Sequence, residues 1–268
     1  MTRTHRFLLL AAVPLLAAAA ASAAPKPDLW PRWEAHAPES TATVNHEAWE
    51  TFLSKYLVTG HPSGVNRVGY ADVSAEDKAA LDRYVASLGA TPVSKLSRPE
   101  QLAYWINFYN ALTVKVILDH HPVESIRDIK SGWFSPGPWE LKLATVEREA
   151  LTLNDIEHRI LRPIFGDNRV HYAVNCASIG CPNLQPEAFT AENTEELLER
   201  GAREYINHPR GARMEGEKLI ASSIYDWFQV DFGGSEEGVL RHLRRYAEGE
   251  LAGALRNFGG KVSYGYDW

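Results

Sequence analysis

The chain has 268 residues, of which 28 are basic and 34 acidic, for a net charge of −6. An acidic balance of this kind offers no electrostatic attraction to nucleic acid or anionic lipid, so neither is expected as a partner. At this length one large domain or two small ones can bury a core, and the interior holds no low-complexity linker or fixed-period repeat.

The first residues carry Arg3, His5 and Arg6, followed by an apolar run over 7–21 and the small-residue pattern Ala21-Ser22-Ala23. This reads as a secretory signal peptide over residues 1–23, too short for a membrane span. Its removal takes 28 basic residues to 26 against 34 acidic, a net of −8. A periplasmic or secreted location follows, without stable membrane insertion after cleavage, in an oxidising compartment.

Residues 24–43, with Pro25, Pro27, Pro31 and Pro38, form an irregular leader, and 44–268 is read as one globular domain. Apolar spacing predicts helices over Val44–Tyr56 and Asp77–Leu88. A third, Pro99–His120, is apolar almost all round and belongs in the middle of a core. Trp139–Leu151 alternates and predicts a hairpin or two short strands. Thr152 and Asp155 fit a capping box that opens a helix from Leu153 to about Leu161. Further helices are expected at Glu192–Asn207, Ser223–Phe228 and Val239–Leu255, with strands at Lys218–Ser222 and Val262–Tyr266. The fold class is α+β, predominantly helical, with a small, mainly antiparallel sheet.

Zinc-protease, serine-elbow, phosphate-loop and dinucleotide signatures are absent, and no cofactor is expected. The most reactive segment is His171 to Pro182, which holds the only two cysteines, Cys176 and Cys181. Cys176 could be a nucleophile, with His171 the nearest base in sequence. Local geometry does not make that pair: five residues apart, the two point to opposite faces of a strand and differ by roughly 140° on a helix. A Cys176–Cys181 disulfide is the competing reading, since export favours it and Gly180, Ala177 and Ser178 let a tight loop close. Zinc held by His171, Cys176 and Cys181 is the weakest, because structural zinc cysteines sit two to four residues apart and no fourth ligand is evident; no metal site is expected.

Asn107 and Asn110 share a face of the apolar third helix. Buried amides must find partners, so they either brace neighbouring backbone or orient a catalytic group or substrate. Glu157 falls on the face of Leu153 and Ile160, where burial would make it a general acid or base, unless it pairs with Arg162. His158 points to another face and is expected at the surface. The tryptophans read as packing.

Five segments together resemble the family catalogued as domain of unknown function 547. They are Tyr104 to Leu112; Ile156-Glu157-His158 through Arg162; the thiol segment through Pro182; Ser223 to Phe228 with Asp231-Phe232; and Tyr266-Asp267-Trp268. The resemblance runs from about Tyr70 to the C-terminus and implies an exported bacterial protein. It marks His171, Cys176, Cys181, Asn107, Asn110, Glu157 and Arg162 as candidates and supplies no reaction.

The leading expectation is a cell-envelope thiol enzyme, a hydrolase or acyltransferase acting on peptide or amide bonds. In it Cys176 attacks, His171 or Glu157 takes the proton, Cys181 is paired with the nucleophile, and Asn107 or Asn110 orients the base or substrate. The alternatives are a non-catalytic binding or scaffold domain stiffened by a Cys176–Cys181 bridge, and a thiol–disulfide exchange protein. The ligand is an unidentified small molecule or peptide.

Overall fold

The computed structural model describes residues 25–130, 132 and 137–268. The expected signal peptide, residues 1–23, lies outside the described residues. Helix α1 (Glu47–Tyr56) buries Trp49, Phe52 and Leu53, one helical stripe, and leads into the short antiparallel pair β1 (Leu57–Val58) and β2 (Arg67–Val68). Helix α2 (Ala75–Ala90) is capped by the Ser74 hydroxyl, which accepts from the Asp77 N–H, and buries Leu81, Tyr84, Val85 and Leu88. Helix α3 (Arg98–His120) starts on Pro99 and is buried on every side between Ala103 and Val114. It is the axis of the larger core, as its all-round apolar sequence predicts.

Strands β3 (Ala144–Val146) and β4 (Glu149–Leu151) form the expected hairpin, shorter than its alternating sequence. The connecting residues Glu147 and Arg148 both have positive φ, the conformation a two-residue hairpin turn demands. Glu147 is held there by Ser94, whose N–H and hydroxyl donate to Oε1, and by Arg32 on Oε2.

The Thr152–Asp155 capping box forms in both directions, but the helix it opens runs on past Leu161 to Phe165. From Asp155 it is wound as a π-helix, with Pro163 inside it. The wider i→i+5 register stacks residues five apart on adjacent turns. Ile156, Ile160 and Leu161 enter the core, while Glu157, His158 and Arg162 are buried together. The irregular leader lies along this helix: the Asp28 and Trp30 N–H groups donate to the His158 and Arg159 carbonyls.

Helix α4 (Thr194–Ile206) leads to a three-stranded sheet of β5 (Ala212–Glu215), β6 (Lys218–Ser222) and β7 (Val262–Gly265) in the order β5-β6-β7. β5 pairs antiparallel with β6, and β7 pairs parallel with it. Between β6 and β7 lie α5 (Ser223–Trp227), α6 (Glu236–Tyr246) and α7 (Gly249–Leu255). The single helix expected over Val239–Leu255 is therefore two. The chain turns extended at Ala247, and Gly249 takes a positive φ that an uninterrupted helix cannot contain. A second cluster around Tyr172, Tyr205, Tyr225, Phe232 and Leu243 packs these elements together. The fold is α+β and predominantly helical. No described helix is long and apolar enough to cross a membrane.

Candidate functional site

Cys176 and Cys181 form a disulfide, with Cα atoms 6.2 Å apart. Their loop is shaped by amides. Asn110, buried on α3, donates to the Ala173 carbonyl at 2.8 Å and accepts from the Asn175 N–H at 2.9 Å. Asn175 in turn donates to the Pro182 carbonyl and accepts from the Ala177 N–H, both at 2.7 Å, which holds Ala177 at φ +57°. Asn107 makes the same two-way bond to Phe189, at 2.7 and 3.0 Å. Both helix amides are thus occupied by backbone. Replacing Asn110 with alanine leaves a buried carbonyl and N–H without partners, so a loss of about 3 kcal/mol is expected in urea unfolding. A loss below about 1 kcal/mol would show that water replaces the amide.

The two sulfurs differ in access: Cys176 is half-buried and Cys181 only 3% exposed. The Cys176 N–H points at the Cys181 Sγ, 2.9 Å away. The Tyr266 hydroxyl lies 3.1 Å from the Cys176 Sγ, 3.4 Å from the Cys181 Sγ and 2.8 Å from the Ser178 Oγ. Tyr266 arrives on the tail after β7, which crosses the loop where the Gly180 N–H donates to the Asp267 carbonyl. A Cβ at Gly180 would meet the backbone of Asp267 at 2.8 Å, so glycine is required for the tail to pass.

The other half of the site is built on the π-helix. His171 Nε2 lies 2.7 Å from the Asp231 Oδ2, and because a carboxylate only accepts, Nε2 carries the proton. His171 Nδ1 therefore faces Glu157 Oε1, 3.8 Å away and beyond hydrogen-bond length. The imidazole stacks on Phe228 with ring centres 4.3 Å apart. Arg162 Nε donates to the same Asp231 oxygen at 2.6 Å, and its Nη1 donates to the Pro25 carbonyl at 2.6 Å and to His158 Nδ1 at 3.0 Å. A guanidinium has no acceptor, so His158 Nδ1 is unprotonated; burial likewise holds the His158 pKa below its ordinary value. Burial pushes the Asp231 carboxyl up, but the bonds from His171 and Arg162 outweigh it and hold the group below the usual range.

Glu157 Oε1 lies 3.8 Å from both His158 Nδ1 and His171 Nδ1. Burial raises the Tyr109 and Tyr266 phenols, and the nearby Glu157 charge raises both further, while the Ser178 bond to Tyr266 opposes it. Both phenols thus stay protonated as donors. His158 is buried rather than at the surface, because the π register turns it inward beside Glu157, where α-helical spacing places it elsewhere. Arg162 pairs with Asp231, and no ion pair with Glu157 forms among the described residues.

The structure thus groups Cys176 and Cys181 with Ser178 and the Tyr266 hydroxyl, and Glu157 with His171 and His158, with no hydrogen bond from His171 or Glu157 to a sulfur among the described residues. Asn107 and Asn110 serve neighbouring backbone. Asp231, Tyr266 and Ser178 are partners that sequence spacing does not pick out. Asp231 and Tyr266 lie 60 and 90 residues from the groups they touch, and only their places in the motifs Asp231-Phe232 and Tyr266-Asp267-Trp268 mark them.

A predominantly helical α+β protein with a loop disulfide touched by a tyrosine hydroxyl, and with a His–Asp pair bonded to a buried arginine, is the class that fold and site define. Residues 93–206 match the model of a family described as Protein of unknown function, DUF547, and the chain carries a domain of that family. The matched stretch starts later than the resemblance from Tyr70 and stops before Asp231 and Tyr266, which lie outside it. No curated protein and no solved structure matches the chain.

Proposed function

We propose that the chain is an exported thiol enzyme of the cell envelope, a hydrolase or acyltransferase acting on peptide or amide bonds, whose nucleophile Cys176 is stored as a disulfide. The observation that carries this reading is the Tyr266 hydroxyl 3.1 Å from the Cys176 Sγ, in a fold that also holds an imidazole, His171, oriented by Asp231 and faced by Glu157. A dithiol reductant would open the bridge. The Cys176 thiol then passes its proton by way of the Tyr266 hydroxyl and adds to the substrate carbonyl; the C–N bond breaks as the amine takes that proton, and water or an acceptor amine attacks the thioester, its own proton returning to the Cys176 sulfur. Asp231, rather than Asn107 or Asn110, fixes the His171 tautomer.

The experiment is a screen of amide and ester substrates with and without dithiothreitol. Turnover is expected only in reduced protein, with a loss on the order of 10³-fold or more in Cys176→Ala. Full activity in reduced Cys176→Ala would remove Cys176 from the mechanism.

Thiol–disulfide exchange is the second reading, favoured by the donors around Cys181. Attack by an external thiolate on the more accessible Cys176 sulfur breaks the S–S bond and leaves the electron pair on the Cys181 sulfur. There the Cys176 N–H and the Tyr266 hydroxyl can receive the charge. Rapid disulfide exchange without acyl transfer would support it. A bridge inert to thiols, judged by intact mass after alkylation, would leave a stiffened binding or scaffold domain.

A further inference from the structure

Strand β7 ends at Gly265, and residues 266–268 leave the sheet to cross the disulfide loop. The Tyr266 hydroxyl stands against both sulfurs, 3.1 Å from Cys176 and 3.4 Å from Cys181, and 2.8 Å from the Ser178 Oγ. One residue on, the Asp267 carbonyl accepts from the Gly180 N–H at 2.6 Å. Trp268, 43% exposed, is held through its ring: it stacks on Trp227 of α5 with ring centres 5.8 Å apart, meets Trp139 edge-on at 5.8 Å, and carries the Arg127 guanidinium 5.0 Å from its centre. Tyr266 packs on the same Trp227 at 4.8 Å.

The two sides of this crossing are fastened unequally. Behind the loop, the buried Tyr205 hydroxyl donates to the Gly180 carbonyl at 2.6 Å, Arg210 Nη1 donates to the Ile179 carbonyl at 3.2 Å, and Asn175 ties Ala177 to Pro182. On the other side, Asp267 and Trp268 are exposed and rest on an aromatic platform at the surface. Contacts of that kind, outside regular structure, open at a free energy well below that of the whole fold. A movement that lifts the tail therefore leaves the loop in place and takes the Tyr266 hydroxyl off the sulfurs.

We propose that Tyr266–Trp268 is a latch on the disulfide, with Trp268 as its catch, and that its opening sets the rate at which an external dithiol reduces the bridge. The reagent's thiolate attacks Cys176, the more exposed sulfur, and the S–S bond breaks with its electron pair on the Cys181 sulfur, which takes up a proton. The reagent's second thiol then displaces Cys176, so the reagent ends as a disulfide and both cysteines as thiols. Gly180 sets how closely the latch shuts: a Cβ there would lie 2.8 Å from the Asp267 carbonyl oxygen and 2.9 Å from the Tyr266 ring, so a methyl pushes the tail outward. The latch concerns access to the sulfurs alone and stands whether the freed thiols serve acyl transfer or exchange.

The test follows reduction of the oxidised protein by dithiothreitol, quenched with iodoacetamide and read by intact mass, at a series of urea concentrations below the unfolding transition. In the unmodified protein the rate should rise only weakly with urea, because opening the tail exposes little surface. Trp268→Ala is expected to be reduced about tenfold faster, the weight of two aromatic pairs in an equilibrium, with the same weak dependence on urea. Gly180→Ala should be faster as well, through the methyl rather than a lost ring. Trp268→Ala reduced at the parent rate or more slowly, or a parent rate that climbs with urea as steeply as global unfolding, would each overturn the proposal. The urea dependence in the unmodified protein decides the matter if a variant fails to fold. Amide turnover plays no part in this readout, so a latch that fails leaves the thiol-enzyme reading to its own screen.

Discussion

Replacing Arg162 with leucine is expected to cost about 3–5 kcal/mol of unfolding free energy, the range for breaking a buried ion pair from one side. The side chain is 1% exposed and serves four groups at once: Asp231, His158, the Pro25 carbonyl and the face of Phe228. Its removal leaves the Asp231 carboxylate with His171 alone in a low-dielectric setting. Adding Asp231→Asn to Arg162→Leu removes the stranded charge, so the double variant should lose less than the sum of the two single losses, a coupling of the size seen between groups in contact. Chemical unfolding of the four proteins measures it. An Arg162→Leu protein within about 1 kcal/mol of the parent would mean that water, not Arg162, solvates this cluster. The same pair has a pH signature. Because the folded-state pKa of Asp231 lies below its unfolded value, its contribution is complete above about pH 4 and is lost as pH falls through the folded pKa.

A second and separate loss should set in at milder acidity. Burial lowers His46 to about 4, and burial, with the charges of Arg245, His171 and Arg169 beside it, lowers His242 to about 4 as well. The His46 Nε2 is buried without a partner, and the His242 Nε2 is held by the Tyr172 hydroxyl at 2.8 Å. Above the unfolded histidine pKa of about 6.5 both states are neutral and these groups contribute no pH dependence. Between about 6.5 and 4 the unfolded chain takes up protons that the folded chain refuses, so stability falls with pH, by up to about 3 kcal/mol for each histidine. Two such groups are a large share of a typical net stability of about 5–15 kcal/mol. Urea midpoints from pH 7 to 4 should therefore fall steeply, and His242→Gln should flatten the slope. A midpoint that holds steady down to pH 4.5 would show that both rings accept a proton inside the fold.

The helices were legible because burial stripes repeat at helical spacing. Trp49, Phe52 and Leu53 in α1, and Leu81, Tyr84, Val85 and Leu88 in α2, announce their faces in sequence, and the all-round apolar run of α3 announces its central place. The break at Ala247–Gly249 was not legible, because the residues on either side continue an apolar pattern that a bent chain satisfies equally well. The winding of 155–165 was hidden for a related reason. A π-helix and an α-helix share their capping residues, and only packing against α3 and the leader shows which register turns His158 inward.

The candidate site divides in the same way. Sequence alone determined that two cysteines five residues apart sit in one segment, that a glycine and small residues let them close, and that Asn107 and Asn110 lie on a core helix and must be satisfied there. These are local facts, settled by spacing and by the cost of burying a polar group. Only the tertiary structure decided that Asp231 holds His171, that Tyr266 touches both sulfurs, and that Glu157 faces His171. Contacts across 60 to 90 residues follow from how helices and sheet pack, and no local periodicity records them.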